Sequence, residues 1–422
     1  MLNDAHRERA YAEARDRYAA IDVSTDEALD RLGRTSLSLH CWQGDDVGGF
    51  EAREQDVVGG GLQVTGHHPG KARTLPELKQ DLSQAYALIP GSHRLNLHAM
   101  YGDFGGKGVD RDRIEPRHFQ SWMDWAGQEG LKLDFNATCF AHPKADSGFT
   151  LSHRDASVRE FWIEHVKRCR SIAAAMGEAQ AGPCLHNLWI PDGAKDITVD
   201  RFAHRMLLKG SLDRIFAVTY PDTLMKDALE SKLFGIGSES YVVGSHEFYL
   251  GYTQISGKML CLDTGHFHPT ESVADKVSAV LVFSEELLLH VSRGVRWDSD
   301  HVVILNDEVR DLMSELVRAD ALDRVHIGLD FFDAAMNRIG AWVIGARAVL
   351  KALLLALLEP LPRLRLHENE GDHFQRLALL EDIRTLPAGA VWDYHCLSQG
   401  APPDQDWISE VLRYERDVLS RR

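Results

Sequence analysis

Cysteine is scarce in this 422-residue sequence and forms no recognisable motif. No CxxC pair and no dense framework is present, and the six cysteines stand at positions 41, 139, 169, 184, 261 and 396. This scattering excludes a small disulfide-stapled scaffold, and it argues against a structural zinc site built from thiolates. The pattern is typical of reduced core thiols, so we predict a cytoplasmic protein.

Basic residues are also in deficit. The chain carries 47 Lys and Arg against 63 Asp and Glu, which gives a formal net charge of −16. This charge disfavours nucleic acids and anionic membranes as partners, because both are polyanions. It favours an enzyme of small uncharged or cationic ligands. With 44% hydrophobic residues, the chain has enough apolar side chains for a large core.

No long apolar run is free of charge. The N-terminal stretch MLNDAHRERAYAEARDRY is charged and helical in pattern, so it predicts no secretion signal. The most apolar stretch, AWVIGARAVLKALLLALL, contains Arg347 and Lys351. Charges are costly inside a bilayer, so this stretch predicts a buried helix instead of a membrane span.

A phosphate-binding loop is missing as well. The long glycine-rich segment 44–70 leads into GHHPGKA, which has the wrong spacing and no Ser or Thr after Lys71. In a compact domain, a loop of this length is typical of a lid, a binding loop or an oligomer contact, with plain disorder as the alternative.

What the sequence does have is a regular alternation of strand-like and helix-like runs. Eight strand-like runs end near Trp42, His98, Asn136, Trp189, Glu230, Asp263, His290 and Asp330. This alternation predicts an α/β fold of the (β/α)8 (TIM) barrel type, in which the active site lies at the C-terminal ends of the strands. The run HVVILND (301–307) is a ninth strand candidate.

Helical regions flank this alternation. Residues 4–33 are rich in Ala, Arg and Glu and predict an N-terminal helix, and the chain after Asp330 is helical in pattern. Pro360 and Pro362 mark a break. We therefore predict one barrel domain, 1–358, which includes the N-terminal helix and the 44–70 loop. A C-terminal helical extension, 359–422, follows it.

Segment 259–301 is unusually rich in residues that bind metals. With two strand ends outside it, the candidates are Glu230, Asp263, His266, His290, Asp298, Asp300 and Asp330. Carboxylates with one or two imidazoles suit divalent Mn, Mg, Co or Zn. Exposed acids and core histidines are the alternative for any single residue. Their recurrence at strand ends favours a metal site over that alternative.

Seven candidate ligands are too many for one ion and fit two. One ion is assigned the strand-end residues Glu230, Asp263, His290 and Asp330. The other is assigned the loop residues His266, Asp298 and Asp300, with Asp263 able to bridge the two ions.

Lys232 follows Glu230 by two residues and is predicted to point to the same side of the strand. A lysine beside two metal ions can polarise a substrate oxygen or stabilise a developing alkoxide. A salt bridge from Lys232 to a ligand carboxylate is the alternative.

Several long motifs resemble the L-rhamnose isomerase family. They are HCWQGDD (40–46), NLHAMY (96–101), NLWIPDG (187–193), ESKLFGIG (230–237), LDTGHFHP (262–269), HVSRGVRWDSDH (290–301) and HIGLDFFDA (326–334). The resemblance extends from about residue 4 to the C-terminus. It implies a cytoplasmic, homotetrameric, Mn²⁺-dependent isomerase that converts L-rhamnose to L-rhamnulose on a xylose isomerase-like barrel. It also implies a structural ion at the strand-end set and a catalytic ion at the loop set.

The reaction needs these residue types. Moving hydrogen between C1 and C2 of a sugar requires a deprotonated C2 hydroxyl and a polarised C1 carbonyl, and two divalent ions supply both. We predict that Lys232, His266, Asp298 and Asp300 are catalytic. Hydride transfer and an enediol route both stay open.

A sugar pocket is predicted from four further side chains. Aromatic faces suit C–H surfaces, and an imidazole suits protonation of the ring oxygen. The predicted substrate-binding residues are Trp42, His98, Trp189 and Phe331, together with Lys232. Core packing is the alternative, and it is the stronger reading for Phe331.

Two other functions use a similar barrel. A metal-dependent hydrolase or nuclease is disfavoured by the net charge and by the lack of a basic groove. A sugar-binding protein without activity is disfavoured because binding alone does not need two metal sites.

Overall fold

The computed structural model describes residues 4–51, 64, 66–233, 240–295 and 300–422. In this part of the chain, eight parallel strands form a closed barrel, and each strand pairs with its neighbours in sequence. The barrel strands are Leu37–His40, Arg94–His98, Lys132–Asn136, Cys184–Trp189, Met225–Glu230, Met259–Asp263, Leu287–Val291 and Val325–Leu329. The predicted (β/α)8 barrel is therefore confirmed, with all eight predicted strands in it.

Both faces of the barrel strands are buried, because helices cover the outside and side chains fill the inside. Every residue of the sixth strand, MLCLD, and of the seventh, LLLHV, is buried. A separate apolar cluster inside the barrel consists of Leu185, Ala228, Met259, Cys261 and Leu288. All six cysteines are buried free thiols, as predicted.

A helix follows each barrel strand. These helices are Leu75–Tyr86, Gln120–Glu129, Ala156–Ala179, Arg201–Phe216, His246–Ser256, Val273–Leu281, Asp307–Arg318 and Arg338–Leu357. Most begin after a Ser, Thr, Asp or Asn whose side chain accepts a backbone hydrogen bond, as Thr74 does from Glu77. These caps fix where most of the loops at the barrel mouth end.

The ninth strand candidate, 301–307, is not a strand of the barrel. His301 forms an isolated antiparallel bridge with Arg293, and Asp307 already begins a helix. The Asn306 side chain accepts a hydrogen bond from the backbone of Val309, so the helix cap decides the conformation of this apolar run.

The N-terminal region forms two helices, Asp4–Ala19 and Thr25–Arg34, instead of the single predicted one. The chain turns between them at Asp22, which has a φ of 63°. Ser24 then caps the second helix by accepting from the backbone of Glu27. The turn at Asp22 and the Ser24 cap therefore interrupt the helix that the sequence pattern predicts.

The predicted apolar helix is Arg338–Leu357. It is the one described helix long and apolar enough to cross a membrane, but 83% of its most apolar window is buried inside the protein. Arg347 within it donates to the backbone carbonyls of Leu88 and Pro402. The helix belongs to the outer layer of the barrel, and its apolar surface is used for packing there.

Four helices continue the chain after the barrel: Leu361–Asn369, His373–Asp382, Ala388–Ser398 and Asp406–Asp417. The third packs on the first helix of the chain, where the rings of Tyr11 and Tyr394 stack with centroids 3.9 Å apart. Arg422 bonds to the buried carboxylate of Asp81 at 2.6 Å. The domain boundary between residues 358 and 359 stays a prediction.

Candidate active site

Four candidate ligands lie at the C-terminal ends of neighbouring strands. Glu230 and Asp263 are the last residues of the fifth and sixth strands. His290 is the penultimate residue of the seventh strand, and Asp330 directly follows the eighth. Parallel barrel strands all end at one rim, so these residues, distant in sequence, meet in space.

The Glu230 carboxylate lies between two imidazoles. Its Oε1 is 3.2 Å from Nδ1 of His266, and its Oε2 is 3.2 Å from Nδ1 of His290. Asp330 Oδ2 is 3.3 Å from the same His290 nitrogen. Asp263 Oδ2 is 4.0 Å from both imidazole nitrogens, and this buried oxygen has no hydrogen-bond partner among the described residues.

A tight turn brings His266 back over the end of its strand. The Gly265 N–H donates to Asp263 Oδ1 at 2.6 Å, and the His266 N–H donates to the Asp263 carbonyl at 3.2 Å. A Cβ on Gly265 would lie 2.3 Å from Asp300 Oδ1, so glycine lets that carboxylate approach. Asp263 and His266 therefore converge through a turn, as their spacing requires.

The six described candidate ligands form two overlapping groups. Ligand atoms of Glu230, Asp263, His290 and Asp330 all lie within 4.8 Å of one another. The same holds for Asp263, His266 and Asp300. Asp298, the seventh candidate, lies outside the described residues. The described members of the two predicted ligand sets therefore lie in separate groups that share Asp263, and their assignment to two ions stays a prediction.

Burial among like charges shifts the acid–base behaviour of this cluster. Burial, helped by neighbouring carboxylates, raises the pKa of Asp263 well above its ordinary value. Burial opposes a charge on His266, but Asp263 outweighs it and the pKa of His266 rises to about 10. Burial likewise opposes a charge on Glu230, yet His290 and His266 hold the pKa of Glu230 well below its usual value. Without a metal ion, the His266 imidazole is therefore protonated, and it must lose a proton before it can bind one.

A cavity at the barrel mouth is lined by members of both groups. Its wall consists of Trp42, Val47, His98, Asn136, Phe140, Asn187, Trp189, Glu230, Lys232, His266, Asp300, Asp330 and Phe332. A larger cavity of about 250 Å³ adjoins Thr264 and Arg293, but none of the clustered candidate ligands lines it. Its size therefore does not make it the active site.

Trp42 and His98, two of the predicted substrate-binding residues, form one side of this cavity. The Trp42 indole Nε1 donates to Asp330 Oδ1 at 3.0 Å, so it also orients a candidate ligand. The two rings meet edge to face with centroids 4.8 Å apart. His98 Nδ1 lies 3.1 Å from the Thr138 hydroxyl.

Lys232 and Trp189 also line the cavity, and both lie close to His266. Lys232 Nζ is 3.4 Å from His266 Nε2 and 5.0 Å from the centre of the Trp189 ring. The strand ends at Glu230, yet Lys232 and Glu230 line the same cavity, which agrees with the predicted placement.

Phe331 is placed elsewhere. It is fully buried, its ring meets the edge of His40 at a centroid distance of 4.4 Å, and it packs closely on Gly345. It is not among the described residues that line the cavity, whereas Phe332 is. Neighbouring residues in extended chain point to opposite sides, so Phe331 takes the core position and Phe332 the cavity position.

Sequence reasoning assigned no role to two asparagines of the cavity wall. Asn187 donates from Nδ2 to Glu230 Oε2, which orients a candidate ligand. Asn136 donates to Asn96 Oδ1 at 2.6 Å and ends the third strand. Both lie near the C-terminal ends of barrel strands, and this position was the signal that identified Glu230.

Known proteins resemble this chain over nearly its whole length. The family model for L-rhamnose isomerase (RhaA) matches residues 5–422. An L-rhamnose isomerase from Rhodopirellula baltica is 59% identical over 98% of this chain and 97% of its own length. L-rhamnose isomerases from Bacteroides thetaiotaomicron and Escherichia coli (strain K12) are 56% and 54% identical over 98% of this chain and over 98% and 99% of their own lengths. The chain therefore belongs to the L-rhamnose isomerase family, and it is an aldose–ketose isomerase that acts on a small sugar.

Proposed function

We propose that this enzyme interconverts L-rhamnose and L-rhamnulose at the barrel mouth by a metal-assisted 1,2-hydrogen transfer that uses two divalent cations. Membership of the L-rhamnose isomerase family supports L-rhamnose as the substrate. The observation that carries the metal is the buried Asp263 Oδ2, which has no hydrogen-bond partner among the described residues and lies 4.0 Å from two imidazoles. A buried carboxylate oxygen is costly unless a cation or a donor meets it.

The donor set fits a dinuclear site. We assign the structural ion, called the deep ion below, to Glu230, Asp263, His290 and Asp330. We assign the catalytic ion to His266, Asp298 and Asp300. Mixed carboxylate and imidazole donors favour Mn²⁺, with Co²⁺, Mg²⁺ or Zn²⁺ as alternatives. When bound, such ions act as Lewis acids on two sugar oxygens and lower the pKa of a bound hydroxyl or water.

Lys232 is proposed to stabilise negative charge on the substrate. Its Nζ lies beside His266 and over the Trp189 ring, so a cation is held at the cavity wall before the sugar binds. A preorganised charge stabilises an alkoxide more than a neutral hydroxyl. Replacement of Lys232 should therefore lower kcat more than it raises KM.

Asp300 is the described candidate for the base that accepts the proton of the C2 hydroxyl. It lines the cavity with His266 and shares a ligand cluster with Asp263 and His266. Its predicted partner in this role is Asp298. Both hydride transfer and the enediol route require a group that accepts a proton from the sugar.

His98 is proposed to open the sugar ring as a base. Burial lowers the pKa of His98 to about 4, so its imidazole is neutral near pH 7. The contact of Nδ1 with the Thr138 hydroxyl fixes the ring orientation. A neutral imidazole can accept the proton of the anomeric hydroxyl as the bond between C1 and the ring oxygen breaks, and the imidazolium can then return that proton to the ring oxygen.

Apolar groups complete the proposed sugar pocket. Trp42, Trp189 and Phe332 offer ring surfaces that suit the C–H faces of a sugar. Val47 adds an aliphatic group to the same wall. Such a wall suits a 6-deoxy sugar, whose terminal methyl group has no hydrogen-bonding capacity.

We further propose a cytoplasmic homotetramer in which the 44–70 loop contributes to a neighbouring pocket. The described start of the loop is anchored on its own barrel: Phe50 meets the Tyr101 ring at 5.7 Å, and Glu51 bonds to Arg111 at 2.9 Å. Phe50 or Val57–Val58 are the candidates for an apolar wall in the neighbouring sugar pocket. Because Phe50 packs on its own barrel, we assign this wall to Val57–Val58, which lie outside the described residues. Buried free cysteines support the cytoplasm.

Metal removal tests the proposed chemistry. Enzyme stripped of metal should form no ketose from L-rhamnose, and Mn²⁺ should restore the activity. Ca²⁺ should restore less, because it prefers more oxygen ligands and longer bonds than this set offers. Several aldoses assayed in parallel would define the substrate range. Full turnover after prolonged incubation in excess chelator would contradict the dinuclear proposal and leave family membership intact.

A further inference from the structure

A thiol lies directly beneath the proposed deep ion site. Cys261 precedes Asp263 by two residues on the sixth strand, so both side chains point to the same face of that strand. Cys261 is fully buried in the apolar cluster inside the barrel. Its Sγ, a carboxylate oxygen of Glu230 and a ring nitrogen of His290 all lie within 4.8 Å of one another.

A second observation points to a ligand at this place. His290 is only 2% exposed, and its Nδ1 lies 3.2 and 3.3 Å from oxygens of Glu230 and Asp330 but makes no well-aligned hydrogen bond among the described residues. A buried imidazole nitrogen without a hydrogen bond loses the interaction that it has with water in the unfolded chain. A cation bound between His290, Glu230 and Cys261 would satisfy this nitrogen.

We propose that Glu230, Cys261 and His290 form a binding site for thiophilic divalent cations, of which Cd²⁺ is the model probe. Thiolate sulfur is a soft donor that selects soft cations, whereas hard cations prefer oxygen. A soft cation therefore uses Cys261 where a hard cation uses Asp263 and Asp330. On binding, the thiol proton passes to solvent, and the thiolate and the Glu230 carboxylate balance the two charges of the cation.

This site shares Glu230 and His290 with the deep ion of the proposed function. The inhibition that we expect from thiophilic cations therefore rests on that function. The two modes are mutually exclusive, because one carboxylate and one imidazole serve both. Thiophilic cations should therefore inhibit the enzyme in competition with Mn²⁺, and Cys261 should determine how strongly they do so.

Cadmium binding to the metal-free, full-length enzyme tests this inference. Cd²⁺ bound to a thiolate gives an ultraviolet charge-transfer band, and X-ray absorption detects the Cd–S bond directly. The variants are Cys261→Ala and Cys261→Ser. The matched control is Cys184→Ser, which changes another buried thiol of a barrel strand, one that contacts the Leu185 carbonyl and belongs to no described ligand cluster.

We expect the band in the wild type and in Cys184→Ser, and its loss in both Cys261 variants. Their affinity for Cd²⁺ should fall by about tenfold or more. Thermal unfolding of each variant checks that it is folded. A wild-type X-ray absorption spectrum without a sulfur ligand overturns the inference, and so does an unchanged band in Cys261→Ala. The wild-type spectrum decides alone if the Cys261 variants do not fold.

Mn²⁺ binding to the wild type, measured in parallel, separates the two proposals. Mn²⁺ binding without a Cd–S signal refutes the soft-cation site and leaves the proposed function in place. A Cd–S signal without binding of Mn²⁺, Co²⁺, Mg²⁺ or Zn²⁺ refutes the dinuclear proposal and leaves the soft-cation site in place. Binding of neither ion refutes both.

Discussion

Two groups of buried carboxylates in the same barrel are neutralised in different ways. Asp134 and Asp227 are the third residues of the third and fifth strands. Asp134 bonds to Arg94 at 2.6 Å, and Asp227 accepts from Arg170 at 2.9 and 3.0 Å and from Lys258 at 3.0 Å. We call these five residues the base network. Here arginine and lysine side chains supply the permanent positive charge, and the His186 imidazole also lies 3.2 Å from Asp227.

The second group is the mouth cluster: Glu230, Asp263, His266, His290, Asp300 and Asp330. Its four carboxylates face two imidazoles and one lysine, and the buried Asp263 Oδ2 lacks a hydrogen-bond partner among the described residues. Arginine stays protonated at all accessible pH values, whereas an imidazole can exchange its proton for a metal ion. The carboxylates of the base network are thus already paired with cationic side chains, whereas those of the mouth cluster can accept a metal cation.

The largest expected effect comes from breaking the mouth cluster. His266→Ala should lower kcat by more than about a hundredfold, because it removes a ligand of the proposed catalytic ion. Glu230→Gln should also abolish turnover, and in addition it should reduce the rise in Tm that Mn²⁺ produces, because the deep ion binds only the folded state. Steady-state kinetics and thermal unfolding with and without Mn²⁺ measure both effects. Equal losses of activity and of Mn²⁺ stabilisation in the two variants would refute the division into two ions.

Breaking the base network should have the opposite profile. Arg170→Met leaves Asp227 buried without its guanidinium partner and should lower the free energy of unfolding by about 3–5 kcal/mol. The kcat of the folded fraction and its dependence on Mn²⁺ should not change. The double variant Arg170→Met with Asp227→Leu should recover part of the stability, because both charges are then absent. Loss of the Mn²⁺ response in Arg170→Met would show that the two regions are coupled.

The two regions should respond to pH in opposite directions. Burial opposes a charge on Asp227, but His186 and Arg170 outweigh it and hold the pKa of Asp227 well below its ordinary value. A lowered pKa gives stability that is present above the unfolded value of about 3.9 and is lost as pH falls below it. Burial opposes a charge on His266, but Asp263 raises its pKa to about 10. That stability is complete below about pH 6.5 and is lost as pH rises to about 10.

Denaturant unfolding across pH measures this difference. Between about pH 6.5 and 10 the metal-free enzyme should lose a few kcal/mol of unfolding free energy, since one pKa unit corresponds to about 1.4 kcal/mol. Mn²⁺ should reduce this loss, because a metal-bound imidazole is neutral throughout the range. A metal-free enzyme of constant stability over this range would contradict the assigned role of His266.

The smallest expected effect concerns the rim of the mouth. Val47 has a φ of 57°, which is unfavourable for a β-branched residue. Val47→Asn should raise the unfolding free energy by about 1 kcal/mol, because asparagine tolerates this conformation, and it should raise KM for L-rhamnose by replacing an apolar wall. Val47→Thr is the matched control, since it adds polarity and keeps the branching. A gain in stability with Thr as well would show that strain is not the cause.

The alternation of strands and helices was readable because its signals are local. Buried parallel strands are continuous apolar runs, and a polar residue that ends such a run is conspicuous, as Asp263 ends MLCLD. Barrel topology then turns equal positions on different strands into neighbours, which is why Glu230, His290 and Asp330 could be grouped. Local competition misled the prediction at 301–307, where the Asn306 cap outweighed an apolar pattern.

The orientation of side chains beyond the strand ends was not readable in the same way. Phe331 and Phe332 are adjacent and identical in type, and the exact end of the strand decides which of them faces the cavity. Asn187 resembles any polar residue in a strand until its contact with Glu230 is seen. A shift of one residue exchanges the two faces of extended chain, and no local signal fixes that shift.

The sequence by itself determined the barrel, the family and the six described residues that converge at the mouth, because each of these depends on patterns along one strand or one motif. Only the tertiary structure decided which buried carboxylates are already neutralised. Asp227 and Asp263 both lie on buried barrel strands, but Asp227 bonds to Arg170, 57 residues earlier in the chain, on the helix Ala156–Ala179. Asp263 instead lies among other carboxylates at the barrel mouth. Charge pairing is a property of distances in space, and those distances exist only after the barrel has closed.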